Sequence, residues 1–426
     1  MITVAIVFFG LMFIGLPVGF TLGIAGVVGL VQLGGDAFLT MAPKRFFEGL
    51  DLFTFMAMPF FILAGEIMNK SGITQRLVDF ANALVGYLRG GLAHSNMVAS
   101  VLFAGMTGAA VSDAAAFGNT LVPAMVRQGY SRPFACAVTA AGSIIGPTIP
   151  PSNLMVIYGS LMGVSIAGLF AAGILPGLLI ALCCMAVIAA LGRRLGLPKG
   201  TGGPSLRLIF ATFRSSFLAI VMPVIILGGI LGGVVTPTEA AAIAVLYALV
   251  VGAGLYRSIG WGDLYEMLER TARITGVVFL IIASASILGW WMTFNQIPQL
   301  VAAGFLSISH DPNAVIGMIL VLLLLIGMFM DINAALIILA PVLVPLTNAI
   351  GMNPVHAGIM IVLALNISLM TPPVGACLFV LASITGERIE AISRALWPFI
   401  LVEVLVLLAI AFLPQVTLFV PHLMGF

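Results

Sequence analysis

The sequence predicts an all-α, polytopic integral membrane protein built on an inverted repeat with broken helices. Three observations carry that prediction. Hydrophobic residues make up 62% of the chain and charged residues only 8%, with a mean hydropathy of +1.23. Apolar stretches of spanning length recur along its 426 residues. The chain also matches itself at a long, constant offset, with prolines and glycines in register.

The composition comes first. A soluble domain carries about 25% charged residues, so this chain has too few to cover an aqueous surface. Residues 2–33, 213–235, 239–256, 276–291, 314–330 and 396–413 are each predominantly apolar. A helix needs roughly 20 residues to cross the hydrocarbon core, and lipid allows only helices or closed barrels to do so. About 10–13 membrane-embedded segments are expected on these lengths. No basic n-region precedes the first apolar run, so a cleavable signal is not expected.

Several functions lose their footing at this stage. A net charge of +2 gives no basic patch for nucleic acid. Cys136, Cys183, Cys184 and Cys377 lie in apolar context without CxxC spacing and read as small hydrophobes. His94, His310, His356 and His422 are scattered, so no cofactor is expected beyond coupling ions. The lysines, Lys44, Lys70 and Lys199, follow Pro43, Asn69 and Pro198, so no phosphate-cradling Gly-Lys-Ser/Thr loop exists. An intramembrane enzyme would want His or Cys beside an acid at helical spacing, and none is found.

Orientation follows from basic loops, which stay cytoplasmic. Residues 191–214 hold Arg193, Arg194, Lys199, Arg207 and Arg214 with no acid, and carry the polar stretch 200–204; this is the linker between two halves. Arg127 and Arg132 flank a short loop, and Lys70, Arg76 and Arg89 mark another. From Ile274 to Glu387 no basic residue occurs.

The repeat rests on residues that constrain the backbone. Gly105-Met106 aligns with Gly327-Met328, an offset of 222; Leu121-Val122-Pro123 aligns with Leu343-Val344-Pro345, and Pro150-Pro151 with Pro372-Pro373. At that offset the doubly basic loop 127–132 falls on the uncharged 349–354, so the two face opposite sides and the repeat is inverted. That is an architecture of secondary transporters, with the site at the midplane.

The repeat frames polar breaks. In 105–119, Thr107, Gly108, Ser112 and Asp113 interrupt an apolar run. An ionised Asp near the bilayer centre costs roughly 2.5–3.5 kcal/mol unless a partner, water or cation offsets it. In 142–153, Gly146 and three prolines around Thr148 and Ile149 end any helix, and freed carbonyls with the Thr148 and Ser152 hydroxyls form a hard-oxygen set suited to a small cation. The second half repeats this with Gly327, Asp331 and Asn333, and with Asn366, Ser368, Thr371 and Pro372-Pro373. Asp113 has a second reading, as a cap of the helix that returns from the hairpin. Glu239 after Thr236-Pro237-Thr238 reads as a helix cap, Glu66 and Glu403 as acids facing neighbouring helices, and Trp290-Trp291 as belt or packing. A channel and a proton-coupled carrier on Asp113 and Asp331 remain as alternatives to a sodium-coupled carrier.

The stretches 58–65 (MPFFILAG), 105–113, 146–152 (GPTIPPS), 236–241 (TPTEAA), 327–331 (GMFMD) and 371–375 (TPPVG) together resemble the large, DctM-like membrane subunit of TRAP (tripartite ATP-independent periplasmic) transporters, over nearly the whole chain. The resemblance implies a sodium-coupled importer of small organic acids in a bacterial or archaeal cytoplasmic membrane, with two re-entrant hairpins and an elevator movement. It implies two partners: a small membrane subunit (DctQ-like) and a periplasmic substrate-binding protein (DctP-like). The hairpins would be 98–127 and about 321–348. One sodium site would comprise Thr107, Gly108, Asp113, Gly146, Thr148, Ile149, Pro151 and Ser152; the other would comprise Gly327, Asp331, Asn366, Met370, Thr371 and Pro373. Ala109 and Ala110 stand where many relatives have serines, so Thr107 and backbone carbonyls would serve there. The implied organisation is scaffold in 1–90, 171–273 and 386–426, and transport domain in 91–170 and 274–385.

Overall fold

In a computed structural model, residues 2–200, 203 and 205–426 are described, apart from the side chains of residues 36 and 37. Three residues of the expected linker (201, 202 and 204) thus lie outside the described residues. The described residues are helical, with one isolated bridge between Arg89 and Lys199.

The first half runs α1 (Ile2–Phe13), α2 (Val18–Gly34), α3 (Asp36–Leu39), α4 (Met41–Glu48), α5 (Ala57–Lys70), α6 (Ile73–Val85), α7 (Gly91–Thr107), α8 (Ala110–Arg127), α9 (Arg132–Ser143), α10 (Asn153–Met162) and α11 (Ile166–Arg194). After α12 (Leu206–Leu231) the second half runs α13 (Pro237–Leu249), α14 (Trp261–Phe294), α15 (Ile297–Ile308), α16 (Pro312–Gly327), α17 (Ile332–Ala349), α18 (Pro354–Ser368), α19 (Ala376–Thr385), α20 (Ile389–Phe412) and α21 (Pro414–Met424).

The 222-residue offset survives in three dimensions. Helices α8 and α17 coincide at both ends under it, α9 and α18 start in register, and the X-Pro bonds that are cis among the described residues, Pro150-Pro151 and Pro372-Pro373, are repeat partners. Packing is reciprocal: α2 lies on α14 as α13 lies on α5, and α8 lies on α19 as α17 lies on α10. Exchanging the halves regenerates the same contacts, as a pseudo-two-fold relation requires.

Among the described residues, six helices have the length and hydropathy to cross a membrane, and Met41–Glu48 with Phe53–Lys70, bent by 57°, forms a seventh candidate. The expected 10–13 segments divide differently because glycine and proline cut apolar runs into shorter pieces. Residues 2–33, expected as one stretch, break at Gly15-Leu16-Pro17 into α1 and α2. The 276–291 run, by contrast, belongs to the 34-residue α14. Helix α2 presents a glycine stripe to α14, where a Cβ at Gly26 would meet the Leu288 backbone nitrogen at 2.9 Å and one at Gly29 the Trp291 ring at 2.8 Å. Small residues let helices approach where lipid supplies no hydrophobic drive between them. Trp291 is accordingly a packing residue. The capping box expected at Glu239 is present, with the Glu239 carboxylate accepting from the Thr236 backbone at 2.8 Å.

Candidate functional site

Each repeat contributes a helical hairpin and a broken helix, and their tips meet at the centre. The first hairpin turns at Gly108-Ala109 between α7 and α8. Gly108 has φ +60°, a left-handed conformation that glycine adopts without steric cost. A Cβ there would lie 2.6 Å from the Pro151 carbonyl oxygen, so the tip touches the break between α9 and α10.

One turn into α8, Asp113 is fully buried. The Thr107 hydroxyl donates to its Oδ1, while Oδ2 has no hydrogen-bond partner. A Cβ at Gly146 would overlap this carboxylate, which is why the break must be glycine where Asp113 faces it. Residues 146–152 are all buried. Among the described residues, no carbonyl from Gly146 to Pro151 accepts a hydrogen bond. Buried backbone acceptors are nearly always paired, so this break, which meets the Asp113 carboxylate at Gly146, is unusually rich in available oxygens. Thr148 donates to the Ile144 carbonyl at 2.8 Å, Ile149 packs beneath Gly177, and the Ser152 hydroxyl caps α10. The two breaks also touch: Asn366 Nδ2 donates to Thr148 Oγ1 at 3.4 Å, and Asn366 Oδ1 is buried without a partner.

The second hairpin turns at 328–331 between α16 and α17. A Cβ at Gly327 would collide with the Ser368 hydroxyl, fixing the close approach of hairpin and break. Asp331 is an exposed N-cap of α17, its Oδ1 accepting from Asn333 N at 3.0 Å and Ala334 N at 3.2 Å. Met370 is buried beneath this break, Thr371 donates to the Ile367 carbonyl at 2.8 Å, and Pro373 is exposed. The structure thus separates the two acids, both expected at ion sites. Asp113, also readable as a cap, is buried one turn inside α8, and Asp331 is the N-cap of α17. The reason is register: at the 222 offset Asp331 aligns with Ala109, the N-cap of α8, and Asp113 lies one turn further in.

A cavity of about 640 Å³ opens beside both tips. Hairpin residues Gly108, Ser112, Asp331 and Asn333 form one wall, and Ile62, Glu66 and Arg270 of α5 and α14 form the other. Gly65 seats α5 against the first tip, where a Cβ would lie 2.9 Å from the Met106 carbonyl. The sequence shows no sign of the close approach at Gly65 or of the pairing of Glu66 with Arg270. Arg270 left one signal, as one of the last two basic residues before the long stretch without any. Glu403, expected to face a neighbouring helix, does so, with the Cys184 thiol donating to its Oε1 at 3.5 Å.

Hairpins and broken helices brought together by a repeat, beside a central cavity in an apolar all-helical bundle, define a membrane transporter fold. The solved structure of the YdaH transporter of Alcanivorax borkumensis shares that fold, at a TM-score of 0.61 and 15% identity over 89% of this chain and 88% of the other. The family described as "Tripartite ATP-independent periplasmic transporter, DctM component" matches residues 5–416, and the chain belongs to it. It is 40% identical to the sialic acid TRAP transporter large permease protein SiaM of Vibrio cholerae over 97% of this chain and 96% of that one. It is 36% identical to the C4-dicarboxylate TRAP transporter large permease protein DctM of Pseudomonas aeruginosa over 95% and 94%. Such relatives are transporter permease subunits, not enzymes, and the chain is a membrane permease.

Proposed function

We propose that the chain is the large permease subunit of a sodium-coupled importer of small organic acids in a bacterial or archaeal cytoplasmic membrane. A periplasmic binding protein delivers the acid, and a small membrane subunit completes the tripartite assembly named by the family. The relatives named for sialic acid and C4-dicarboxylates carry carboxylates, and the same class is the substrate here. The observation that supports sodium coupling is the buried Asp113 carboxylate, with Oδ2 unpartnered, set against Gly146 at the start of a break whose carbonyls accept no hydrogen bond among the described residues. Sodium is a hard cation that takes several neutral oxygens and one carboxylate, whereas a proton would satisfy only one atom of the set.

Electrostatics supports the same reading. Two acids, Glu66 and Asp331, and one base, Arg270, line the cavity, and Asp113 lies behind its tip. An anionic substrate entering that excess of negative charge needs cations beside it. Each net positive charge moved inward at 100 mV adds roughly 2.3 kcal/mol of driving force. The cavity between the α5/α14 wall and the two tips fits an elevator, in which α7–α10 and α16–α19 slide along a scaffold. The organisation expected from the sequence is adjusted accordingly: α14 runs unbroken across 273/274 and is assigned whole to the scaffold.

The test is uptake of labelled N-acetylneuraminate and succinate into proteoliposomes holding the complex. Uptake is expected to follow an inward sodium gradient without ATP. Uptake that continues in sodium-free buffer and collapses when only the pH gradient is removed would establish proton coupling instead.

A further inference from the structure

The cavity wall opposite the hairpin tips holds one basic side chain, and its geometry points to a role. We infer that Arg270 is the residue that recognises the acid group of the substrate, and that Glu66 is a displaceable partner holding its place when the cavity is empty. This rests on the proposal that the substrate is an organic acid.

The pairing is one-sided. Arg270 Nε lies 3.4 Å from Glu66 Oε1, a long contact made by one edge of the guanidinium. Among the described residues the two terminal nitrogens have no partner. Those nitrogens form the fork that binds a carboxylate through two parallel hydrogen bonds. The Arg270 side chain is 57% exposed and Glu66 only 12%, so the base reaches into the cavity while the acid stays on the wall. Other cations nearby are engaged: Arg273 with Glu269 at 2.7 Å, and Lys70 with Asp263 at 2.9 Å. Ile274 and Val278 follow Arg270 on the cavity face of α14, so the site offers one charged fork at the end of an apolar strip. That pattern suits a small molecule with an acid group at one end.

Placement adds to the case. Glu66 directly follows Gly65, the point where α5 touches the first hairpin tip. An acid held by Arg270 therefore sits at the junction of scaffold and hairpin. Glu66 competes with the substrate for the same guanidinium, which keeps an unpaired positive charge from persisting after release.

The two residues predict opposite effects on apparent affinity, which a purely structural ion pair does not. Uptake of N-acetylneuraminate and of succinate is measured with the complex in proteoliposomes, at saturating sodium and across a sodium titration. Arg270→Gln is expected to raise KM at least tenfold with the sodium half-saturation within twofold of wild type. Arg270→Lys should fall between, since it restores the charge but not the fork. Glu66→Gln should lower KM two- to fivefold by removing the competitor. Thermal unfolding in detergent confirms that each variant folds. If both charge-removing variants raise KM, or if Arg270→Gln leaves it unchanged, the pair only fastens α5 to α14 and the inference is overturned. A wild type that takes up neither acid with sodium overturns the functional proposal, and this inference with it.

Discussion

The two hairpin-and-break units share one backbone plan and use their acids in opposite ways. In the first, Asp113 lies on the fourth residue of α8, buried, with one oxygen held by Thr107 and the other facing Gly146. In the second, Asp331 precedes α17 and spends its side chain on two backbone amides at an exposed helix start. One helical turn separates these roles. An acid at the N-cap satisfies the helix's own orphan amides. An acid one turn inward has no such duty, and its orientation is set by what packs across from it. The breaks differ in step with the acids: 146–152 is closed and buried, while Pro373 and Val374 of the second break are exposed. One offset therefore produces a closed, buried break facing an unpartnered carboxylate oxygen and a more open one whose acid caps a helix.

The sharpest way to break this comparison is to remove the buried acid. Asp113→Ala should raise the sodium half-saturation of uptake by more than tenfold, about 1.4 kcal/mol or more, with the protein still folded in detergent. A half-saturation within twofold of wild type would place the cation elsewhere.

The glycines sharpen it next. Gly146→Ala puts a methyl group onto the Asp113 carboxylate, so a loss of sodium affinity of about tenfold is expected. Gly327→Ala meets the Ser368 hydroxyl instead, and overpacking of that kind costs about 1–3 kcal/mol of stability. Its sodium response should stay near wild type, and Ser368→Gly in the same chain should recover most of the lost thermal stability.

A smaller effect is expected at the exposed acid. Asp331→Ala should cost about 0.5–2 kcal/mol through the lost cap, and Asp331→Asn much less, since asparagine caps nearly as well. Sodium half-saturation should move less than threefold in either, measured by the same titration. A tenfold shift in Asp331→Asn would make the two acids equivalent and end the contrast. The smallest effect is expected for Thr371→Val. The Thr371 hydroxyl is turned back to the Ile367 carbonyl at 2.8 Å, so sodium half-saturation should stay within twofold.

The all-α membrane class, the repeat offset and the break positions were legible because composition and backbone-constraining residues report on them directly. Gly108, Gly327 and the paired prolines announced where helices stop, since each restricts the chain whatever surrounds it. The Thr236–Glu239 cap was readable for the same reason, being complete within four residues. Asp113 and Asp331 were found as embedded acids, both expected at ion sites, but which is buried and which caps a helix was not legible. Both follow a glycine break, and sequence distance from it does not reveal on which residue the next helix begins.

The sequence by itself thus determined the membrane, the repeat and the list of polar residues at its breaks. Only the tertiary structure decided which of them act together. The Asp113–Gly146 approach joins α8 to the break after α9, Asn366 reaches Thr148 across 218 residues, and Glu66 meets Arg270 between α5 and α14. Such contacts depend on which face each helix turns to its neighbours. In a chain this uniformly apolar, no hydrophobic stripe along the sequence records that choice. Close packing of small residues, visible only once the helices are assembled, sets it.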